Sequence, residues 1–459
     1  MHSACFRPPS RCGLDPERTR RFTSGLLRFA RNGDNEASPE SALMPNTVHI
    51  VGAGLAGLSA AVRLAQNGSR VALYEAAGQA GGRCRSYFDQ GFGAMIDNGN
   101  HLLLSGNSAA LGYARLIGGA DKLLGPSKAE FSFADLATGE RWTLSVNEGR
   151  WPAWLFDPSR RVPGTKPSDY VGAVPLLWAG RSKTVTDVLA SQGPLYTKLW
   201  HPLMLAALNT DPHEGSAHLA GAIMRNTLAK GGAACRPLVA EGLSAVFVDP
   251  GLRYIENHAG AITFNARVRA IGFDDGRVAS LDFGNERPLV GENDAVILAV
   301  PPWVAEGLVP GLKAPQAFRA IVNAHYRVEP PAGFPRILGL VNGTVEWIFA
   351  FPGRLSITIS GADRLVDRPR EQLAAELWRE VASVTGLSED LPAWQIVKEK
   401  RATFAATPEQ DALRPDTRTR WRNLFLAGDW TQTGLPATIE GAIRSGERAA
   451  QWAMKGQER

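Results

Sequence analysis

Six residues, Gly52-Ala53-Gly54-Leu55-Ala56-Gly57, carry the spacing G-x-G-x-x-G. That spacing suits a pyrophosphate lying against bare backbone. Gly52 permits a tight turn, Gly54 lets phosphates come close, and Gly57 lets a helix press on a strand. The helix N-terminus that follows adds free N–H groups and a positive dipole end. Glu75 stands 18 residues beyond Gly57. A carboxylate there accepts hydrogen bonds from a ribose 2′-hydroxyl and repels a 2′-phosphate, so the ligand is FAD or NAD and not NADP. Downstream, Ala80-Gly81-Gly82-Arg83 suits a further phosphate contact, although alone it reads equally as a surface turn. Near the other end, Gly428-Asp429 sets an acid just after an apolar run, where it can hold ribityl hydroxyls. Pro436-Ala437-Thr438-Ile439 then opens a segment whose N–H groups can face a flavin ring. Taken locally, that ending is only a loop and a helix cap.

These groups need a scaffold, and the pattern supplies one. Residues 47–51 are β-branched and read as a buried parallel strand. Apolar positions at helical spacing run from Leu55 to Asn67 and stop at Gly68. Residues 70–75 read as a second strand, which completes a β-α-β unit. Residues 294–300, stopped by Pro301-Pro302, and 424–427 read as further strands. Thr438 to Met454 reads as a helix, as do residues 370–385, with an amphipathic pattern. Residues 253–300 read as short strands around an Asp275-Gly276 turn, and 335–362 alternate like antiparallel strands. The stretch 136–234 is rich in Trp, Pro and Leu and has no plain period.

With 459 residues, the chain has room for two or three domains. A hydrophobic share of 44% and a charged share of 21% mark a folded globular protein, not a disordered or coiled-coil one. The net charge of +5 is spread along the chain, and no Lys/Arg block suits a nucleic acid. Cys5, Cys12, Cys84 and Cys235 form no CxxC pair and no zinc spacing, so no metal site is expected, and reduced thiols in a cytoplasmic protein are. No apolar run reaches the roughly 18 residues of a spanning helix. Residues 1–43 mix seven arginines with five acids and read as a disordered extension ahead of Met44.

VGAGLAGLSAAVRLAQNG, YEAAGQAGGRCRS, DNGNH and FLAGDWTQTGLPATIEGAIRSGERAA together resemble the flavin-dependent amine oxidase and phytoene desaturase superfamily. Within it, LWHPLMLAALNTDPHEGSAHLAG and the carboxy-terminal motif are most similar to the bacterial hydroxysqualene dehydroxylases of hopanoid synthesis. The resemblance implies an α/β chain: a discontinuous Rossmann-like FAD-binding domain with an inserted mixed α+β substrate domain. It places FAD-binding segments at 44–135, 235–315 and 420–459, with substrate segments at 136–234 and 316–419.

Carried over by position, Gly52, Ala53, Gly54, Ala56 and Gly57 would hold the pyrophosphate and Glu75 the adenosine ribose. Gly82 and Arg83 would flank the phosphates, and Val268 would meet adenine through its backbone. Asn98, Gly99, Asn100 and His101 would run along the isoalloxazine. Gly428-Asp429 would bind ribityl or pyrophosphate oxygens, and Thr438 and Ile439 would face the ring. No carboxy-terminal cysteine is available for covalent attachment, so the FAD is expected to be non-covalent.

The implied substrate is a polyprenyl allylic alcohol, hydroxysqualene. A hydride from reduced flavin would replace its hydroxyl, which must leave as water and so needs a proton donor. His101 leads as that donor, with Asp211 behind it. Carotenoid-type desaturation and amine oxidation are the alternatives within the superfamily. A single dinucleotide fingerprint supports no second nucleotide site for an electron donor. Trp151 to Phe156 and Pro175 to Trp178 suit either the core of the substrate domain or peripheral contact with the inner membrane.

Overall fold

The computed structural model describes residues 47–455. The expected extension over 1–43 and the Met44-Pro45 step lie outside the described residues. Five parallel strands form the first sheet, in the order Ala261–Thr263, Val71–Tyr74, Val48–Val51, Ala295–Leu298, Leu424–Leu426. Its segments come from both ends of the chain and from the middle. Every residue of Val48–Val51 and of Ala295–Leu298 is buried, because both faces of the sheet are covered.

The helices Leu55–Gln66 and Ile439–Met454 cover one face. A Cβ on Gly446 would sit 2.0 Å from the Ala56 carbonyl oxygen, so glycine is what lets these two helices touch. The hairpin Ala270–Asp274/Arg277–Asp282 covers the other face through Val278 and Leu281. Its turn residues Asp275 (φ 40°) and Gly276 (φ 69°) are both left-handed, as the sequence leads one to expect.

The second sheet has seven strands, in the order Trp394–Phe404, Phe318–Tyr326, Arg354–Ile359, Trp347–Phe351, Ile337–Val341, Ala129–Asp135, Arg141–Val146. Helix Arg370–Thr385 packs on one face through Leu373, Leu377 and Trp378. The opposite face meets the irregular helical stretch that follows residue 150.

Two features differ from the sequence reading. Ala129–Asp135, at the end of the stretch read as the first FAD-binding segment, pairs in parallel with Ile337–Val341 of the second sheet. The cause is hydrogen bonding at long range, which alternation within the strand cannot reveal. Residues Asp249–Asn257 form a helix where strands were expected from 253. Pro250 in its first turn and the buried Gly251 and Ile255 set that helix against Leu55–Gln66.

Candidate active site

The glycine fingerprint is built as a cradle. Gly52 has φ 104°, and a Cβ there would lie 2.5 Å from the Ala299 carbonyl oxygen. A Cβ on Gly57 would lie 1.8 Å from the Gly52 oxygen, so strand and helix are in direct contact. A Cβ on Gly54, by contrast, would meet nothing within 4 Å. The open face of the loop is therefore at Gly54, where a pyrophosphate needs it, and that opening is how the residues fit a dinucleotide. Gly81 donates its N–H to the Ala53 oxygen at 2.8 Å, which brings Gly82 and Arg83 to the mouth of the same cradle. Ala56 is buried in the first turn of the helix.

Glu75 bridges two loops. Its carboxylate accepts the N–H groups of Ala53 and Ala77, each at 2.8 Å. The Glu75 backbone oxygen takes the N–H of Ala266 at 2.8 Å, which draws the Asn265–Val268 stretch alongside. Val268 itself is buried.

Arg83 donates to Asp429 at 2.8 Å and to the Ala402 carbonyl. The side chain stays 43% accessible, so the guanidinium is open to a ligand at the mouth of the cradle. His101 is half-buried, and burial with the nearby Arg83 charge lowers its pKa to about 4. The ring is therefore neutral near pH 7. Gly428 receives no side chain easily, since a Cβ there would meet the Trp430 ring at 2.3 Å; its N–H is taken by the Ser445 hydroxyl at 2.8 Å. Thr438 caps the last helix by accepting the Gly441 N–H at 3.0 Å, with Ile439 buried beside it.

Asn98 donates to Glu399 at 3.3 Å. Asn100 is buried and donates to the Ile357 oxygen and the Thr358 hydroxyl, both at 3.2 Å. Its own Oδ1 is buried with no partner in the protein, an acceptor kept for something else. The Thr358 hydroxyl donates to Asn323 at 2.8 Å, and a Cβ on Gly99 would come 3.1 Å from the Asn323 amide. The Asn98–His101 segment is thus fastened to the second sheet.

From that anchor a single row crosses the sheet. Asn323 pairs with Thr358, Thr358 with Trp347, Trp347 with Gly339, Gly339 with Phe133, and Phe133 with Trp142. Directly opposed residues share a face. Phe133 stacks on Trp142 at 5.5 Å and meets Trp347 edge-on at 5.8 Å. The row begins polar and becomes an aromatic wall. Neither Asn323 nor the wall was singled out from the sequence, because the row unites six strands from two distant parts of the chain.

Asp211 does not join this group. Its side chain is 50% accessible and pairs with His201 at 3.7 Å on the outer surface. The two described cysteines, Cys84 and Cys235, are buried, and burial pushes both thiols up to about 12.

Residues 55–454 match the family model described as flavin containing amine oxidoreductase. The chain belongs to that family. A hydroxysqualene dehydroxylase from Rhodopseudomonas palustris is 58% identical over 409 residues, 89% of this chain and 98% of the relative. Another, from Sinorhizobium fredii, is 55% identical over 412 residues, 90% of this chain and 99% of the relative. Among solved structures, an oxidoreductase from Methanosarcina mazei superposes with a TM-score of 0.66 at 16% identity, over 88% of this chain and 100% of its own. Membership makes the protein a flavoenzyme with FAD as its cofactor and accounts for the discontinuous parallel-sheet domain.

Proposed function

We infer that this protein is an FAD-dependent oxidoreductase that removes the allylic hydroxyl of hydroxysqualene and yields squalene, in hopanoid synthesis. The observation that carries this reading is end-to-end identity of 58% and 55% with relatives named for that reaction. In this reading Ala53, Gly54, Ala56, Gly57 and Gly82 hold the pyrophosphate, and Glu75 and the backbone near Val268 hold the adenosine. Arg83, Asp429, Thr438 and Ile439 position the rest, with Asn98, Gly99, Asn100 and His101 along the ring. Reduced FAD, when bound, supplies the hydride, and the protein supplies orientation and a dry chamber. The buried Phe133, Trp142 and Trp347 give that face of the sheet an apolar character suited to an isoprenoid chain. Anaerobic incubation of the reduced enzyme with hydroxysqualene is the direct test. Squalene is the expected product; turnover of phytoene or an amine with no squalene formed would overturn the reading.

The substrate also has to leave a bilayer, and one surface is suited to that. Trp151 and Trp178 are 73% and 76% accessible, with Phe156, Val171 and Val174 exposed near them in sequence. Val171 ends the short helix Pro167–Val171, and Val174 and Trp178 bound the 3-10 turn that follows it. Beneath them the buried Trp154 meets Tyr170 edge-on at 5.3 Å and joins the two segments. Arg150, Lys166, Arg181 and Lys183 are exposed along the same stretch. Interfacial tryptophan with flanking cations suits an anionic lipid surface. No helix among the described residues is long and apolar enough to cross a membrane, so contact would be peripheral.

A further inference from the structure

Two buried amides beside the aromatic wall have each spent one half of their hydrogen-bonding capacity. Asn100 donates through Nδ2 to the Ile357 oxygen and the Thr358 hydroxyl, both at 3.2 Å. Asn323, only 1% accessible, accepts through Oδ1 from the Thr358 hydroxyl at 2.8 Å and from the Asn100 N–H at 3.4 Å. A carbonyl can only accept and an N–H can only donate, so neither amide can be turned over. The halves left over are complementary. Asn100 Oδ1 is a buried acceptor with no partner. Asn323 Nδ2 is a donor that meets no acceptor among the described residues, and a Cβ on Gly99 would come 3.1 Å from it, so the bare glycine leaves it uncovered.

One free acceptor beside one free donor suits a particular functional group. A hydroxyl both donates and accepts, so it satisfies the two together. A protonated amine offers donors only, and a hydrocarbon offers neither. The position agrees with the chemistry. Asn100 belongs to the segment that the reading above lays along the isoalloxazine. Thr358 ties the two amides together and is directly opposed to Asn323 on one side and to Trp347 on the other. The amides therefore stand where the ring-lining segment meets the wall of Phe133, Trp142 and Trp347. An isoprenoid chain laid along that wall brings its hydroxyl end to them.

We propose that Asn323 and Asn100 together hold the hydroxyl of the allylic alcohol, Asn323 Nδ2 donating to its oxygen and Asn100 Oδ1 accepting its O–H, and that this pair selects the alcohol over hydrocarbons of the same chain. The proposal rests on the dehydroxylase reading above and adds to it the residues that choose the substrate. A hydrocarbon seated on the same wall would bury both amide groups unpaired, which a site built around a hydroxyl strongly disfavours. Squalene, the product, lacks the group that the pair holds. The contacts that admit the substrate therefore also favour release of the product.

The test uses FAD-loaded, oxidised enzyme, which carries no hydride and so binds the alcohol without turnover. Flavin absorbance is titrated with hydroxysqualene and, separately, with squalene. Wild type should bind the alcohol at least about tenfold more tightly. Asn323→Leu removes the polar atoms at similar volume and should cut that ratio to about threefold or less, with squalene bound as well as before or better. A merely structural role would weaken both ligands alike and keep the ratio. A wild-type ratio within about twofold, or an Asn323→Leu ratio equal to that of wild type, overturns the proposal. If Asn323→Leu loses its FAD, Thr358→Val decides, because it releases the Asn323 Oδ1 and lets that amide turn. The ratio should then fall at least about threefold, and an unchanged ratio overturns the proposal. Reduced wild type that makes no squalene from hydroxysqualene would strike the dehydroxylase reading instead, so the two failures are distinct.

Discussion

Arg83 Nη2 lies 2.8 Å from the Asp429 carboxylate, although the residues are 346 positions apart in the chain. The contact joins the loop after the second strand of the parallel sheet to the loop after its last strand. Charge-assisted hydrogen bonds of this kind contribute about 1.5–3 kcal/mol. Asp429→Asn is therefore expected to weaken FAD binding by about ten- to a hundredfold. Titrating FAD-free protein with FAD by fluorescence checks this, and unchanged affinity would remove the pair from the cofactor site.

Gly54 and Gly57 should respond in opposite ways to the same added methyl. At Gly57 the methyl would collide with the Gly52 oxygen, while at Gly54 it would enter open space. Gly57→Ala is expected to lower stability by about 2 kcal/mol or more, seen as a lower Tm of FAD-free protein. Gly54→Ala should leave that Tm within about 2 °C and weaken FAD binding at least about tenfold. A Gly54→Ala protein that binds FAD normally would show that the pyrophosphate lies elsewhere.

Acid should destabilise the fold through two histidines. Burial and Arg83 hold His101 at about 4, and burial and Arg354 hold His325 at about 3, each below the ordinary 6.5. Between pH 6.5 and 4 the unfolded chain therefore binds more protons, so stability is present above 6.5 and is lost as pH falls. Each group contributes a slope of at most about 1.4 kcal/mol per pH unit. His101→Gln should give a shallower decline in Tm from pH 6.5 to 5 than wild type, and an identical decline would contradict the burial of that ring.

Much of the nucleotide half was legible before any coordinates. The β-α-β unit, the fingerprint and Glu75 are local in sequence, and helix Arg370–Thr385 and the Asp275-Gly276 turn follow from period and turn chemistry. The substrate half was far less legible. Phe133, Trp347 and Asn323 acquire a shared face only through pairings among distant strands, and Gly339 matters only because a Cβ there would strike Phe133 at 2.6 Å.

The exposed tryptophans give a prediction about lipid. Replacing Trp151 and Trp178 together by Ser removes apolar surface that is already in solvent, so stability should change by less than about 0.5 kcal/mol. Binding to anionic liposomes should fall about tenfold or more in a flotation assay, and wild-type binding should weaken with salt. Wild type that does not float with such liposomes would discard the membrane face.

Arg414 offers the sharpest separation of support from contact. It is 1% accessible, and its side chain donates to the Thr431 oxygen at 2.9 Å, Asp411 at 3.0 Å, the Asp429 oxygen at 3.1 Å and the Thr433 hydroxyl at 2.7 Å. Its guanidinium also lies 4.8 Å from the Phe404 ring centre. Three acceptors in the 429–433 loop, with Asp411 of the helix Pro408–Ala412, thus depend on one buried cation, and that loop carries the Asp429 carboxylate toward Arg83. Arg414→Met would leave Asp411 buried without this partner, an outcome that costs about 3–5 kcal/mol. Arg414→Lys keeps the charge but cannot span the same fork of acceptors, so it should lose less stability and still weaken FAD binding. Thermal melts and FAD titrations on both variants separate the effects. Full FAD affinity in a folded Arg414→Lys protein would mean that Asp429 is held in place without this fork.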